Sequence, residues 1–236
     1  MVRVVGMAAV CRRNTVGDPL SSNAWIQRLC LHLTVRLYGP LQGRNLPYYR
    51  VDKLTLADTN RDMLIEASAK LRDAEGEVQG VQLALADSED ILDESPRPAL
   101  TGHGDPGGEA SVAGQISEQQ RLLRSMQKFP PESFDTVVDT FGLCSCKDPR
   151  TALEQMVRVC RPGGRIILLE HGKGTWKLIN DILVAQEQAH FNRWGCHFNR
   201  DVDALITDLV EREGLRPVWR WRTHFGTTIC AVLEKR

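Results

Sequence analysis

No run of about 18 apolar residues occurs in the sequence, so it predicts no membrane-spanning helix. An excess of one charge is also missing. Lys+Arg and Asp+Glu number 30 each among 236 residues, so no global basic field draws the chain to nucleic acid. The cysteines lack a metal pattern. Seven occur, at 11, 30, 144, 146, 160, 196 and 230, an odd count in a chain too long to need a disulfide scaffold. Cys144 and Cys146 form CxC rather than CxxC, and no second pair stands at zinc spacing. The expectation is buried neutral thiols in a reducing compartment, with no metal site.

Acids are scarce at the start of the chain. Asp18 is the one acid among the first 50 residues, against Arg3, Arg12, Arg13, Arg28, Arg36, Arg44 and Arg50. Arg-rich and acid-poor is the composition of an organellar transit peptide. Ser21, Ser22 or Asn23 could cap a helix that places Trp25, Ile26, Leu29, Leu33 and Leu37 on one face. Residues 1–34 are therefore read as a basic segment with transit-peptide character, ahead of a domain over 35–236. The location this implies is mitochondrial, with the cytoplasm as the alternative.

What is present is an alternation of strands and helices. KLTLAD (53–58) and VQLALAD (81–87) are strand-like runs that each close on an acid. Between them, Asn60 to Arg72 carries Met63, Ala67 and Leu71 at helical spacing. Residues 93–119 are rich in Gly, Pro, Ser and acids, cannot bury enough surface to order themselves, and are expected to be a disordered insertion. Ser117 to Lys128 could form a short helix leading back. FDTVVD (134–139) predicts a third strand, and Asp148-Pro149 opens a helix that Arg161-Pro162-Gly163-Gly164 ends. RIILLE (165–170) is the next strand. A helix over 201–213 stops at Gly214, and 218–222 and 227–234 form a closing antiparallel pair. Such alternation predicts a parallel sheet with helices on both faces, whose ligands bind at the carboxyl ends of the strands. Asp58, Asp87 and Asp139 all fall at that edge.

An acid that ends the second strand of a nucleotide-binding sheet can accept hydrogen bonds from both ribose hydroxyls, and stands about 20 residues after the glycine loop. Asp58 follows Gly39 by 19 residues. One such Asp is more often a helix cap. Three of them followed by RPGGRIILLE are far more specific.

ADTNRDML, ALADSEDI, FPPESFDTVVDTFGLCSCKDPRTALEQMVRVCRPGGRIILLEHG and the tail WGCHFNRD…HFGTT resemble the class I S-adenosylmethionine-dependent methyltransferases. Within that family the chain is most similar to the mitochondrial inner-membrane methyltransferases, with the ubiquinone/menaquinone C-methyltransferases as more distant relatives. The similarity runs from Gly43 to Arg236 apart from the insertion. It implies a Rossmann-like, doubly wound α/β fold of seven mostly parallel strands, the last antiparallel. It also implies S-adenosyl-L-methionine as cofactor and a small-molecule or macromolecular methyl acceptor that the fold does not identify. Peripheral association with a mitochondrial membrane fits the same group. By the same resemblance Asp58 binds the ribose, Thr59 beside it belongs to the cofactor site, Asp87 and Ser88 lie at the adenine, and Asp139, Thr140 and Phe141 line the methionine side.

The family's E-x-G-x-G-x-G loop is matched only in part. In the stretch 35–45 the outer glycines, Gly39 and Gly43, are present, but Leu37 stands where the acid belongs and Leu41 where the central glycine belongs. Leucine accepts no hydrogen bond, its Cβ opposes a left-handed backbone, and Pro40 removes one donor. Three readings stay open: an active enzyme, a methyltransferase fold that has lost its cofactor and serves binding or assembly, and a truncated form lacking its first strand.

Methyl transfer is an in-line displacement that needs positioning more than a nucleophilic side chain. A base is required only if the acceptor must lose a proton. His171, just past RIILLE, is the candidate, with His197 and His224 behind it. Trp176, Trp194, Trp219 and Trp221 read as packing groups. The Arg/Trp alternation over 216–222 suits an edge strand better than base stacking.

Overall fold

The computed structural model describes residues 7–12, 53–73, 80–93 and 126–236. The expectations on residues 13–52, including Gly39 and Gly43, lie outside them, as do nearly all of the 93–119 insertion and most of the helix over 117–128.

Among the described residues, seven strands form one sheet: β1 (Met7–Arg12), β2 (Lys53–Asp58), β3 (Gly80–Leu85), β4 (Phe134–Thr140), β5 (Cys160–His171), β6 (Arg216–Thr223) and β7 (Thr228–Glu234). Their spatial order is β3-β2-β1-β4-β5-β7-β6. β2 runs parallel to β3 and β4 to β5, while β7 is antiparallel to both β5 and β6. Most strand and helix limits fall within a few residues of the sequence expectation. β5 is longer, because the Arg161–Gly164 turn is drawn into the sheet's edge through a register shift opposite β4.

β5 is fully buried from Ile166 to Leu169. A run buried at every position needs cover on both faces of its sheet. On one face Ile166, Leu168, Val137, Ile229, Ala231 and Leu233 pack with Ala152, Leu153, Met156, Ile206 and Leu209. The last five belong to α2 (Pro149–Val159) and α4 (Val202–Glu213). α2 starts where Asp148 accepts from the amides of Arg150 and Thr151, with Pro149 at the first helical position, where its missing amide costs nothing. α4 ends on Gly214 at φ 61°, a left-handed conformation that only glycine adopts without a penalty. α1 (Arg61–Asp73) rests on β2 and β3.

Two features depart from the sequence reading. The central slot between β2 and β4, which a parallel first strand was expected to fill or leave empty, is taken by β1 running antiparallel to both neighbours. Ala8 stands opposite Ala57 on one side and Asp139 on the other, so β1 begins at the carboxyl edge of its neighbours and ends at Arg12 on the far edge. An antiparallel ladder satisfies the backbone of both neighbours as fully as a parallel one. These residues lie inside the segment that composition alone assigns to a transit peptide.

The second departure is α3 (Lys177–Trp194), which the sequence reading did not anticipate and none of whose residues is buried. Trp176, Leu178, Ile182, Val184 and Trp194 all stand exposed along it, and Trp221 is exposed on β6. The packing role expected of Trp176, Trp194 and Trp221 is thereby corrected: a long helix that rides on the domain rather than within it carries the first two to the surface.

Candidate active site

The carboxyl edge gathers four acids. Asp58 ends β2 and is buried to 2% exposure. One of its oxygens accepts from the amide of Asn60 at 2.7 Å, while Oδ2 has no partner. Burial, with Asp139 nearby adding to it, pushes the Asp58 carboxyl up to about 7, and the Asn60 amide opposes the shift. A buried carboxylate oxygen without a donor is expensive to keep unless something else supplies one. Two ribose hydroxyls are suitable donors.

Asp139 lies near the end of β4, facing Glu170 near the end of β5, and both are buried. Glu170 Oε1 accepts from the amide of Gly142 at 3.3 Å, whereas Asp139 Oδ2 and Glu170 Oε2 are unpartnered. Burial raises both carboxyls, Asp139 to about 6 and Glu170 well above its ordinary value, and the two charges side by side add to the shift of Glu170. Glu170 was not among the site residues read from the sequence. The signal was there, since an acid closing an otherwise apolar strand is the same pattern that marked Asp58.

Thr140 is buried beside Asp139. Phe141 follows at φ 58°, with its amide donating to the Leu169 carbonyl at 2.8 Å. A non-glycine residue at positive φ costs about 1–3 kcal/mol, and such positions concentrate at ligand sites. The Phe141 ring stacks on His171 at 4.1 Å between centroids. The structure thus brings Asp58, Asp139, Thr140, Phe141 and His171 to one edge. Thr59 is half-buried just past Asp58. Asp87 and Ser88 sit in the turn after β3, where Asp87 Oδ1 accepts from the Glu89 amide at 2.9 Å, a local turn contact.

Beyond His171 lies a cavity of about 230 Å³, lined by His171, Leu183, His190, Phe198, His224, Thr227 and Thr228. His224 Nδ1 is 3.2 Å from Thr228 Oγ1. His197 lies elsewhere, stacked on Phe191 at 4.3 Å and 3.2 Å from Glu187. His190 takes its place in the cavity. Sequence reasoning missed His190 because it had no reading of α3.

The family profile described as a methyltransferase domain matches residues 108–168. A mitochondrial methyltransferase of Saccharomyces cerevisiae, OMS1, is 32% identical over 197 residues, 82% of this chain and 36% of its own length. The chain belongs to the class I S-adenosylmethionine-dependent methyltransferases. The ubiquinone/menaquinone biosynthesis C-methyltransferase UbiE of Azotobacter vinelandii is 27% identical over 84% of this chain and 69% of its own. The N-methyltransferase NodS of Bradyrhizobium japonicum, solved with S-adenosyl-L-homocysteine, superposes with a TM-score of 0.50 at 16% identity, over 93% of this chain and 89% of that one, which supports the fold. The chain therefore spans about a third of the yeast methyltransferase and two thirds of the bacterial one. In methyltransferases of this class the cofactor is S-adenosylmethionine, and the orphaned Asp58 oxygen at the end of β2 fits its ribose.

Proposed function

We propose that the chain transfers a methyl group from S-adenosylmethionine to an acceptor held in the histidine-lined cavity. The observation that carries this reading is Asp58, a buried carboxylate with one unpaired oxygen at the end of the second strand. Asp58 and Thr59 would hold the ribose, Asp87 and Ser88 the adenine, and Asp139, Thr140 and Phe141 the methionine side. When bound, the cofactor supplies an electrophilic methyl group on a sulfonium. The protein's part is to fix the acceptor in line with it and to exclude water.

Where the acceptor must lose a proton, we place the base at His190 rather than His171. Nδ1 of His171 is turned toward Cys196, and its ring is held by Phe141. Burial, aided by His171, lowers the His190 pKa and keeps it neutral and ready to accept. The cavity wall is partly apolar through Leu183 and Phe198, which favours a small lipid-soluble acceptor such as a quinone-like ring. No helix among the described residues is long and apolar enough to cross a membrane. Peripheral contact with a mitochondrial membrane is supported by the exposed apolar side chains of α3 and by the mitochondrial yeast relative.

The direction of β1 favours a second reading, that of a binding or assembly protein without catalysis. β1 runs opposite to the parallel first strand expected of the fold, so it does not bring its own carboxyl end, from which a glycine cradle would follow, to the cofactor edge. One experiment separates the two. Equilibrium dialysis with labelled S-adenosylmethionine should show saturable binding that Asp58→Ala weakens by about 1.5–3 kcal/mol, the scale of hydrogen bonds to a charged group. No binding by a folded wild-type chain leaves the non-catalytic reading. Equal affinity in wild type and variant removes Asp58 from the site.

A further inference from the structure

Three soft ligands converge beside the proposed acceptor cavity. Cys144 lies in the loop after β4, His171 at the end of β5 and Cys196 just after α3. The two thiols are buried and His171 is half-buried. Their sulfur and imidazole nitrogen atoms all lie within 4.8 Å of one another, with Cys196 Sγ 4.0 Å from His171 Nδ1. We propose that Cys144, His171 and Cys196 form a binding site for one thiophilic divalent metal ion of the zinc class. This Cys₂His set goes beyond the methyl-transfer reading and depends on no part of it.

Several observations support the geometry. Zinc holds sulfur at about 2.3 Å and imidazole nitrogen at about 2.0–2.1 Å, so tetrahedral ligands stand roughly 3.5–3.8 Å apart. The 4.0 Å between Cys196 and His171 is slightly wider, and a small inward movement of side chains closes it. The ligands come from three elements whose backbones are already tied together. The His197 amide, next to Cys196, donates to the Cys144 carbonyl at 2.7 Å, and the Phe141 amide, at the start of the loop that carries Cys144, donates to the Leu169 carbonyl of β5 at 2.8 Å. Phe141 fixes the imidazole plane from one side.

The charge balance also fits. Two thiolates and a neutral imidazole carry two negative charges that balance the divalent ion, so ion and ligands together are neutral, which a buried site tolerates, and the two thiol protons leave to solvent on binding. Three protein ligands leave the fourth tetrahedral position to water or an added ligand, the arrangement of an open rather than a structural zinc centre. Sequence spacing could not show this set, because Cys144 pairs with distant Cys196 and not with Cys146. The Cys146 thiol donates to the Leu143 carbonyl at 3.4 Å, and its sulfur accepts from Arg200 at 3.7 Å.

The test uses the full chain purified under reductant and titrated with Co²⁺, then with Zn²⁺ as competitor. One ion per chain is expected, with thiolate-to-cobalt charge-transfer absorption that Zn²⁺ abolishes. Cys144→Ser, Cys196→Ser and His171→Gln should each weaken uptake at least tenfold, while Cys160→Ser and Cys230→Ser leave it unchanged. Unfolding of a ligand variant would show in circular dichroism. X-ray absorption of the Zn²⁺-loaded wild type then decides, with two sulfur and one nitrogen neighbours supporting the site and an all-oxygen shell overturning it. Failure of the reduced wild type to take up either ion also overturns it, as would finding that Cys144 and Cys196 serve only as a disulfide pair.

Discussion

Gly142 lies so close over the Asp139 carboxylate that no side chain fits between them. A Cβ at this position would overlap both carboxyl oxygens, and its own amide already reaches Glu170 Oε1. The loop after β4 is thus glycine for steric reasons. Gly142→Ala must push Asp139 toward the buried Glu170 or lift the loop. Overpacking of this kind costs about 1–3 kcal/mol. Urea denaturation should show that loss, and labelled-cofactor dialysis should show weaker binding, because Asp139 and Phe141 flank the change. Unchanged stability would mean that the loop yields freely and that the contact does not fix Asp139.

Asp58 gives the molecule a pH dependence with a definite sign. Its carboxyl titrates near 3.8 in the unfolded chain and near 7 in the folded one, mainly because of burial. Between those values the folded state keeps a proton that the unfolded state has lost. The Asp58 contribution is therefore fully present below about pH 4 and is lost as pH rises toward 7, at a slope of up to about 1.4 kcal/mol per pH unit. Above pH 7 it changes no further. Asp58→Asn removes the titration. The stability difference between wild type and Asp58→Asn should therefore drift against wild type from pH 4.5 to 7.5. A parallel pair of stability curves would show that Asp58 ionises freely and is not desolvated.

Strand and helix positions were legible wherever the pattern was local. The apolar run of β5, the Asp148-Pro149 start of α2 and the Gly214 stop of α4 each encode their element within a few residues, and the structure follows them. The acidic carboxyl edge of the sheet was legible because Asp58 and Asp139 close or nearly close their strands. α3 was not legible, because nothing buries it and its apolar residues lack the periodicity of a core-facing stripe. The Cys144–His171–Cys196 convergence was not legible either, since it joins three elements far apart in sequence. The direction of β1 depends on sheet pairing alone, and composition carries no information about it.

The described residues on either side of the expected insertion meet at one place. The Asp93 amide donates to the Phe129 carbonyl and the Phe129 amide to the Ile91 carbonyl, each at 2.7 Å, and Leu92 and Phe129 form a parallel bridge. A short linker can therefore span the ends. Loop-closure entropy grows only with the logarithm of length, so shortening the loop should be neutral or favourable by about 1 kcal/mol. Replacing residues 97–122 with a short Gly/Ser linker should leave the melting temperature within a few degrees, or raise it slightly, and should remove the first sites of limited proteolysis. A large fall in melting temperature would show that the segment packs on the domain and is not a dispensable insertion.

The last prediction concerns β1, where two readings meet in the same residues. Composition marks residues 1–34 as a removable presequence, while the structure places Met7–Arg12 between β2 and β4 at the centre of the sheet. Removing that strand takes away both of its ladders. It exposes the inner edges of β2 and β4, which carry Asp58 and Asp139, and unpaired inner edges are prone to aggregate. A chain beginning at residue 35 should therefore be less stable than the full chain by several kcal/mol, or associate through the freed edges, when compared by urea denaturation and sedimentation. A truncated chain that stays monomeric, equals the full chain in stability and binds S-adenosylmethionine more tightly would show the opposite. In that case Met7–Arg12 occupies a slot that a later segment fills in the mature protein, and the stretch containing Gly39 and Gly43 becomes the place to look for the parallel strand and its loop.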